Sequence, residues 1–408
     1  MSTQLTKTGK PPRWTPLTRT VRLSEDSGKH FRDRNAAKYA KHPMEPAILA
    51  MLDASPELGG EPNIDVVACG STMGNLLRFV SGQDKLFRIL VEVIEDTVFF
   101  IRRENSPTEL IPNVRGFGHS FPEQYTTWDA DVKGSSSHQR VLRYRFGGLR
   151  FLLRFEADGY ISKTSPKSPK TASASTSPAS MKDLWASLDT AFISPDLATS
   201  DADLKIKPAG EPVDQSLIFD LKTRSVKKRD VDTLNEELGR LWIAQIPNFI
   251  LAYHEHGVFN DIRVLNVKSQ VKEWERTQKN VLSKLAALVH RIIGMARDRP
   301  SGKLEVCHGQ VGVLEIREQL PEAGDVLSRA TKSRWSARGA AEKTLVDSDS
   351  DDGKVKKQEA DWENDLIKWD DKWNERSPYN PDGKVPVSDD FTACSRVKCG
   401  WCGGCITD

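Results

Sequence analysis

Residues 216–245 read SLIFDLKTRSVKKRDVDTLNEELGRLWIAQ, a pattern that predicts a strand followed by an amphipathic helix. The strand is expected over Ser216–Lys222. The helix is expected over residues 231–246, because large apolar side chains recur there at helical spacing on one face. These side chains are Leu234, Leu238, Leu241 and Trp242. A strand covered by a helix in this way is typical of a sheet protein of the α/β or α+β class.

The sequence on both sides continues the alternation of strands and helices. A strand rich in β-branched and aromatic residues is predicted over Val93–Arg103. A hairpin is predicted where Gly147-Gly148 joins apolar runs at 141–146 and 149–158. One long amphipathic helix is predicted over Val271–Arg297, and shorter strands at 249–253, 259–267, 304–307 and 311–316. We therefore expect a mixed central β-sheet flanked by helices over residues 45–320.

Composition limits the classes of function. The chain has 408 residues, of which 38% are hydrophobic and 28% charged, with a net charge of +2. This charge gives no global argument for nucleic acid or membrane, so such partners must be inferred from local patches. No apolar stretch reaches the ~18 residues of a membrane span, and the N-terminus lacks the apolar core of a signal peptide. The expectation is an intracellular protein of the nucleus or cytoplasm, without a membrane partner.

Segments poor in apolar residues divide the chain, because such segments cannot offset the entropy lost on ordering. They are a basic N-terminal tail at 1–40, a Ser/Thr/Pro/Lys-rich insert at 162–180 and a low-complexity acidic tail with tryptophans at 329–390. A Cys-rich tail follows at 391–408. All three tails and the insert are expected to be disordered or separate from the core.

Four charged residues at two strand ends suggest a metal site. Glu156 and Asp158 are two apart, as are Asp220 and Lys222, so each pair would share one face of its strand. Three carboxylates suit Mg or Mn, which prefer oxygen ligands. The lysine would hold the attacking water or neutralise charge on a reacting phosphate. The predicted chemistry is metal-dependent phosphodiester hydrolysis.

Two further features agree with a nucleic-acid substrate. Gln245 extends the apolar stripe of the predicted helix, and a polar amide there requires a hydrogen-bond partner such as water, a metal ligand or Lys222. A basic cluster follows the second strand, where a phosphate backbone would approach. The cluster comprises Arg224, Lys227, Lys228 and Arg229. Each feature also has an ordinary structural explanation: a solvated strand edge, a surface ion pair or a glutamine at the edge of the core.

The order of acid-x-acid strand, acid-x-Lys strand and glutamine-bearing helix matches the layout of PD-(D/E)XK nucleases. The passage from Gly116 to Val267 resembles the DXO-type decapping exonuclease family, a branch of those nucleases that acts on RNA 5′ ends. The matching positions are Gly118, Phe121 and Glu123, then Glu156 and Asp158, then Asp220 and Lys222, then Trp242 to Gln245. The family has Glu where this chain has Asp220.

This resemblance implies a role for each residue. Glu156, Asp158 and Asp220 would hold Mg or Mn, Lys222 and Gln245 would position water, and Glu123 would support the site. The implied function is nuclease, decapping or pyrophosphohydrolase activity on RNA. The alternative is a catalytically silent nuclease-fold protein that binds nucleic acid or another protein.

The chain also resembles fungal proteins that carry a geranylgeranyl diphosphate synthase label. Such synthases need two DDxxD motifs to hold Mg-diphosphate. Here Asp370-Asp371 is followed by Asn374 where the second part of the motif needs aspartate, so the label lacks support.

Four cysteines crowd the C-terminus at a spacing that suits a bound metal. They are Cys394, Cys399, Cys402 and Cys405. Four thiolates are typical ligands of structural zinc, and the spacing of the first three cysteines also fits an iron–sulfur pattern. Zinc is the expected ion, because nothing in the sequence requires electron transfer.

Overall fold

Three β-sheets organise the described part of the chain, which in this computed structural model comprises residues 4–54, 64–162 and 205–337. The strands are β1 (Gln4–Thr8), β2 (Arg13–Trp14), β3 (Val66–Cys69), β4 (Phe87–Ile94), β5 (Thr97–Arg103), β6 (Thr126–Thr127), β7 (Gln139–Phe146), β8 (Leu149–Glu156), β9 (Gly159–Tyr160), β10 (Lys205–Ala209), β11 (Ile218–Ser225), β12 (Asn248–Glu255), β13 (Val258–Asn266), β14 (Lys303–Gln310) and β15 (Val313–Arg317). The helices are α1 (Arg34–Lys38), α2 (Glu45–Ala54), α3 (Gly70–Val80), α4 (Ser120–Tyr125), α5 (Thr233–Ala244), α6 (Lys268–Thr277) and α7 (Lys279–Arg297).

The largest sheet has seven strands in the order β15-β14-β4-β5-β3-β8-β7. Strand β3 runs parallel to its neighbours β5 and β8, while the other pairs are antiparallel. The β7–β8 hairpin turns at Gly147 and Gly148, whose φ values are +58° and +76°. These angles favour glycine, and the predicted Gly-Gly hairpin is confirmed.

A second sheet has six strands in the order β13-β12-β11-β9-β2-β6. Strand β11 is parallel to β12 and antiparallel to the short strand β9, where Ile218 pairs with Tyr160 and Phe219 with Gly159. Asp158 immediately precedes β9, and Asp220 lies on β11 just beyond this pairing. Asp158 thus comes beside β11 through the short strand β9, whereas most of the strand predicted over 149–158 is β8 of the seven-stranded sheet.

Helices α3, α5 and α7 join the two large sheets through a shared apolar core. Leu238, Leu241 and Trp242 of α5 are buried in the same cluster as residues of both sheets. Helix α3 contacts both α5 and α7. The predicted stripe of α5 is therefore the face that carries the helix onto the core.

Two predicted elements are each divided in the structure. Residues 93–103 contain the end of β4 and all of β5, because Glu95 adopts a positive φ of +52° and reverses the chain. The helix predicted over 271–297 is divided into α6 and α7, which meet at Gln278 with φ −95° and ψ 18°. The helical spacing of apolar residues continues across Gln278 and does not reveal that break, whereas the polar pair Glu95-Asp96 marks the turn between β4 and β5.

The chain before residue 45 and after residue 320 contributes to the fold, which differs from the expected tails. Strand β2 lies inside the six-stranded sheet, and Leu23 packs in its apolar cluster. Residues 329–337 are helical, and Trp335 is 4% exposed against Phe99. A few buried apolar side chains and backbone pairing hold these segments on the fold. The average composition of a segment predicts neither of these contacts.

Part of the predicted insert and both C-terminal predictions lie outside the described residues. These are residues 163–180 of the insert, the acidic run and tryptophans after residue 337, and the four cysteines of the tail. Within the described ranges, no helix combines the length and the apolar character needed to cross a membrane.

Candidate active site

Asp158 and Asp220 come together at the edge of the β9–β11 pairing. The Oδ2 atom of Asp158 accepts a hydrogen bond of 2.7 Å from the backbone N–H of Leu221, the residue after Asp220. Asp220 is 4% exposed. This backbone hydrogen bond holds the carboxylate of Asp158 beside the strand that carries Asp220.

The surroundings of both carboxyl groups disfavour their charged forms. Desolvation and the nearby charge of Asp220 together raise the pKa of Asp158 to about 8, although Arg240 opposes the rise. Desolvation also raises the pKa of Asp220, against the opposing charges of Arg240 and Lys222. Two buried acids that resist ionisation favour a cation, and such groups are common at functional sites.

Arg240 of α5 is the cation that meets this demand in the structure. Its Nη1 and Nη2 atoms donate to the two oxygens of Asp220 at 2.5 and 2.6 Å. Its Nε atom donates to Oε2 of Glu237 at 2.7 Å, one helical turn earlier. Sequence reasoning missed both residues. The available signal was an acid and an arginine at i,i+3 spacing beside the apolar stripe of α5.

Lys222 and Glu237 extend this network on the same side of β11. The Nζ atom of Lys222 lies 3.2 Å from Oε1 of Glu237. Desolvation would raise the pKa of Glu237, but Arg240 and Lys222 more than offset it and hold that pKa well below its ordinary range. Glu237 is thus a fixed anion that orients Lys222 and Arg240 towards Asp220.

Glu156 lies at the margin of the pair. Strand β8 ends at Glu156 in the seven-stranded sheet, whereas Asp158 is bonded to the six-stranded sheet, so the two acids do not share one strand face as expected. The Glu156 side chain is 43% exposed, with Oε1 3.9 Å from Nη1 of Arg34. Its charge still contributes to the raised pKa of Asp158. Arg34 was also missed, because it falls in the expected tail.

Gln245 and Glu123 lie differently from the roles that the resemblance implies. Gln245 ends α5 in the left-handed conformation, and its side-chain amide donates to the carbonyl of Trp242 at 2.6 Å. Glu123 is exposed on α4, where Phe121 and Tyr125 form the buried face. Neither the hydrogen bond of Gln245 nor the exposed position of Glu123 brings these side chains to Asp158 or Asp220. The end of α5 sets the direction of the Gln245 side chain, and the packing of α4 sets that of Glu123. The spacing of the motif residues in the sequence does not specify either direction.

The predicted basic cluster separates into two environments. Arg224 is 4% exposed, and its Nη2 atom lies 3.8 Å from Glu236, so it belongs to the internal network rather than to a phosphate-facing surface. Lys227 and Arg229 are exposed, and Lys228 is half-buried. These three residues lie in and just after the 3₁₀ turn Val226–Lys228, and Arg229 is 3.3 Å from Asp261.

Carboxylate oxygens are typical ligands of a divalent cation, but Arg240 is hydrogen-bonded to both oxygens of Asp220. Asp158 and Asp220 supply the hard oxygen donors that Mg and Mn prefer, and their mutual repulsion is relieved by positive charge. Within the described ranges, no three His, Cys, Asp or Glu side chains are grouped so as to hold a metal ion. The structure thus brings two of the three expected metal ligands together and leaves both oxygens of Asp220 bonded to Arg240.

Comparisons with known proteins agree with the fold. A family model described as "Domain of unknown function (DUF8563)" matches residues 1–308. No curated protein matches the chain. The chain is similar to the crystal structure of Scheffersomyces stipitis Rai1, with 12% identity and a TM-score of 0.50, over 81% of this chain and 91% of that one. It is similar to that protein in complex with (3′-NADP)+ and calcium ion, with 12% identity and a TM-score of 0.50, over 81% and 89% of the chains. The predicted mixed α/β fold is confirmed, and the Rai1 structures have a similar fold.

Proposed function

We propose that this chain, which belongs to the family described as Domain of unknown function (DUF8563), is a divalent-metal-dependent phosphodiesterase acting on RNA 5′ ends. The observation that carries the proposal is the proximity of Asp158 to Asp220, which the hydrogen bond from the Leu221 N–H to Asp158 fixes; desolvation raises the pKa of both carboxyl groups. The Rai1 crystal structure of the same fold contains a calcium ion and a dinucleotide, which supports a site for metal and nucleotide.

The chain's own residues would divide the work of hydrolysis. Bound Mg or Mn would supply Lewis-acid stabilisation and an activated water. Asp158 and Asp220 would bind the ion, and Glu156 would join from the margin. Lys222, oriented by Glu237 at 3.2 Å, would neutralise charge that develops on the phosphate. Removal of a 5′ cap or pyrophosphate from RNA is the finer reaction that this proposal includes.

A surface for the RNA backbone would extend from the 3₁₀ turn after β11. The exposed Lys227 and Arg229 and the half-buried Lys228 follow Lys222 along the chain. Arg229 also lies over the ring of Tyr253, 5.8 Å from its centroid, and 3.3 Å from Asp261. Neutralising Lys227, Lys228 and Arg229 should weaken RNA binding and reduce its salt dependence by roughly one counterion per charge removed.

One observation favours a second function, a silent nuclease-fold protein that binds RNA or protein. The guanidinium of Arg240 occupies both oxygens of Asp220. A permanently neutralised carboxylate would have no capacity for a metal ion, whereas the basic surface could still bind RNA. The two functions differ in whether hydrolysis accompanies binding.

The deciding assay combines purified full-length protein, Mn or Mg, and RNA with a 5′ cap, triphosphate or monophosphate. Asp158→Ala and Asp220→Ala should each lower the hydrolysis rate by ~10²-fold or more, because preorganised charge stabilisation is lost. Lys222→Ala should lower turnover more than binding. Glu273→Gln is the control, since Glu273 is exposed on α6 and pairs only locally with Arg276. Binding of these RNAs without hydrolysis by wild-type protein would favour the silent function.

A further inference from the structure

We propose that Arg78, with Arg102 and Arg240 beside it, binds the terminal phosphate of an RNA 5′ end. This inference rests on the proposed function for the identity of the ligand, and it names the group of the substrate that these arginines would recognise. It requires no metal ion, because arginine side chains alone bind phosphate groups.

No carboxylate among the described residues accepts a hydrogen bond from Arg78. Its Nη2 atom donates to Oδ1 of Asn75, a neutral amide on the same helix, α3. Its Nε atom is buried and has no hydrogen-bond partner in the described part of the chain. The side chain as a whole is only partly buried. Arg78 therefore has N–H groups left to donate, and a charged group in such surroundings favours an anion as partner.

Helix α5 brings Arg240 to the same place. A Cβ atom on Gly74 of α3 would lie 3.6 Å from Nη1 of Arg78 and 4.0 Å from Cδ1 of Ile243 on α5. Arg240 precedes Ile243 by one helical turn, so it lies on the face of α5 that meets α3. The side chain of Arg240 is 40% exposed, so solvent reaches this region.

Strand β5 brings Arg102 to α3 as well. Phe100 and Arg102 are two residues apart on β5, so their side chains lie on the same face of the sheet. Phe100 packs in one apolar cluster with Leu76 and Leu77 of α3. Arg102 therefore faces the helix that carries Arg78.

The three arginines leave an excess of positive charge at Arg78. Arg102 is hydrogen-bonded to Glu104, and Arg240 to Glu237, so these two arginines have carboxylate partners. Burial and the charges of Arg102 and Arg240 lower the pKa of Arg78 to about 10, although Glu237 opposes this change. A terminal phosphate carries close to two negative charges at neutral pH, whereas an internal phosphodiester carries one. The excess charge thus favours the terminal phosphate over the internal ones.

The test is RNA binding by full-length protein in EDTA, measured by fluorescence anisotropy. One short RNA, labelled at its 3′ end, carries either a 5′-monophosphate or a 5′-hydroxyl. Wild type should bind the phosphorylated RNA about tenfold tighter or more, as expected for charge-assisted hydrogen bonds. Arg78→Gln should bind both RNAs alike. Asn75→Asp should also lose most of the preference, because it gives Arg78 a carboxylate of nearly the same shape as the amide.

A matched control lies on α6. Arg276 and Glu273 form an i,i+3 pair at 2.6 Å, with side chains 61% and 54% exposed. Arg276→Gln removes one arginine charge from an exposed helical pair, so the preference for phosphorylated RNA should not change.

Urea unfolding separates recognition of phosphate from a structural role. Arg78→Gln should be no less stable than wild type in chloride, because the fold disfavours the charged form of Arg78. Inorganic phosphate at the same ionic strength should raise the urea midpoint of wild type and leave that of Arg78→Gln unchanged. If Arg78→Gln does not fold, Asn75→Asp decides the matter, because it keeps Arg78 in place.

Equal affinity of wild type for the two RNAs would overturn this phosphate site, even if inorganic phosphate stabilised the protein, because the ligand would then be free phosphate. Mn-dependent hydrolysis in that case would leave the proposed function standing. A preference that foldable Arg78 and Asn75 variants retain in full would overturn the site as well. Loss of the preference in these variants, with no hydrolysis by wild type, would support the site and overturn the catalytic part of the proposed function alone.

Discussion

Asp158→Asn should change the way in which stability depends on pH. The pKa of Asp158 is raised to about 8 in the folded protein, from 3.8 as the ordinary value. Between these values the folded state retains a proton that the unfolded state has lost. The contribution of Asp158 to the free energy of unfolding must therefore fall as pH rises, and it is complete only below about pH 4.

The size of this effect follows from the linkage between protons and stability. One proton difference changes the free energy of unfolding by about 1.4 kcal/mol per pH unit at most. Between pH 5 and 7 wild type should therefore lose up to ~3 kcal/mol relative to Asp158→Asn. Charge coupling to Asp220 and Arg240 spreads the titration and makes this figure an upper bound.

Urea unfolding at half-unit pH steps, in EDTA, measures this difference. The asparagine variant keeps an oxygen that accepts from the N–H of Leu221, so the backbone tie between strands is preserved. The curves of wild type and variant should converge at low pH and separate as pH rises, with the variant more stable. Parallel curves across this range would refute the assignment of a raised pKa to Asp158.

Three substitutions test the packing around the site, each by urea unfolding. Gly159→Ala should cost about 1–3 kcal/mol, because its Cβ would lie 2.4 Å from the ring of Phe219, whereas Gly294→Ala in α7 meets no atom within 4 Å and should be neutral or stabilising. Asp26→Ala should cost about 1–3 kcal/mol, because its carboxylate accepts two backbone N–H groups at the start of α4; the asparagine variant should lose less. Trp335→Ala should cost ~3–5 kcal/mol, and a loss below 1 kcal/mol would show that the segment after residue 320 does not support the core.

The elements that sequence predicts well here are those defined by apolar spacing. Helix α5 was expected from Leu238, Leu241 and Trp242, and these side chains are buried as expected. Asp158 was expected near Asp220 from the order of two strands and a helix, and it lies there through β9, which the sequence did not separate from the predicted strand at 149–158. Both inferences depend on patterns within short segments, which strongly restrict the structure that those segments can form.

What sequence did not predict depends on partners distant along the chain. An arginine on a helix ordinarily faces solvent, so nothing in the pattern of α5 assigns Arg240 to Asp220. Asp26 is an ordinary tail aspartate until His119 and Ser120 present their N–H groups to it. The outward direction of Glu123 likewise follows from how α4 packs, which the spacing of its motif does not specify.

The first strands of the chain fasten both ends of the stretch that separates the two halves of the site. Strand β2 pairs with β9 just before residues 163–204, and β1 pairs with β10 just after them. Backbone bonds from Tyr160 to Pro12, at 3.0 Å, and from Gly9 to Ala209, at 2.9 Å, tie the same places. We therefore expect that the two fragments produced by a cut between residues 163 and 204 would stay assembled. Strand β1 of the amino-terminal fragment is paired with β10 at the start of the other fragment. Changes in the length or sequence of that stretch should therefore have little effect on the position of Asp158 beside Asp220. The pairing of residues 4–14 with β9 and β10 helps to offset the entropic cost of bringing the two ends of the stretch together.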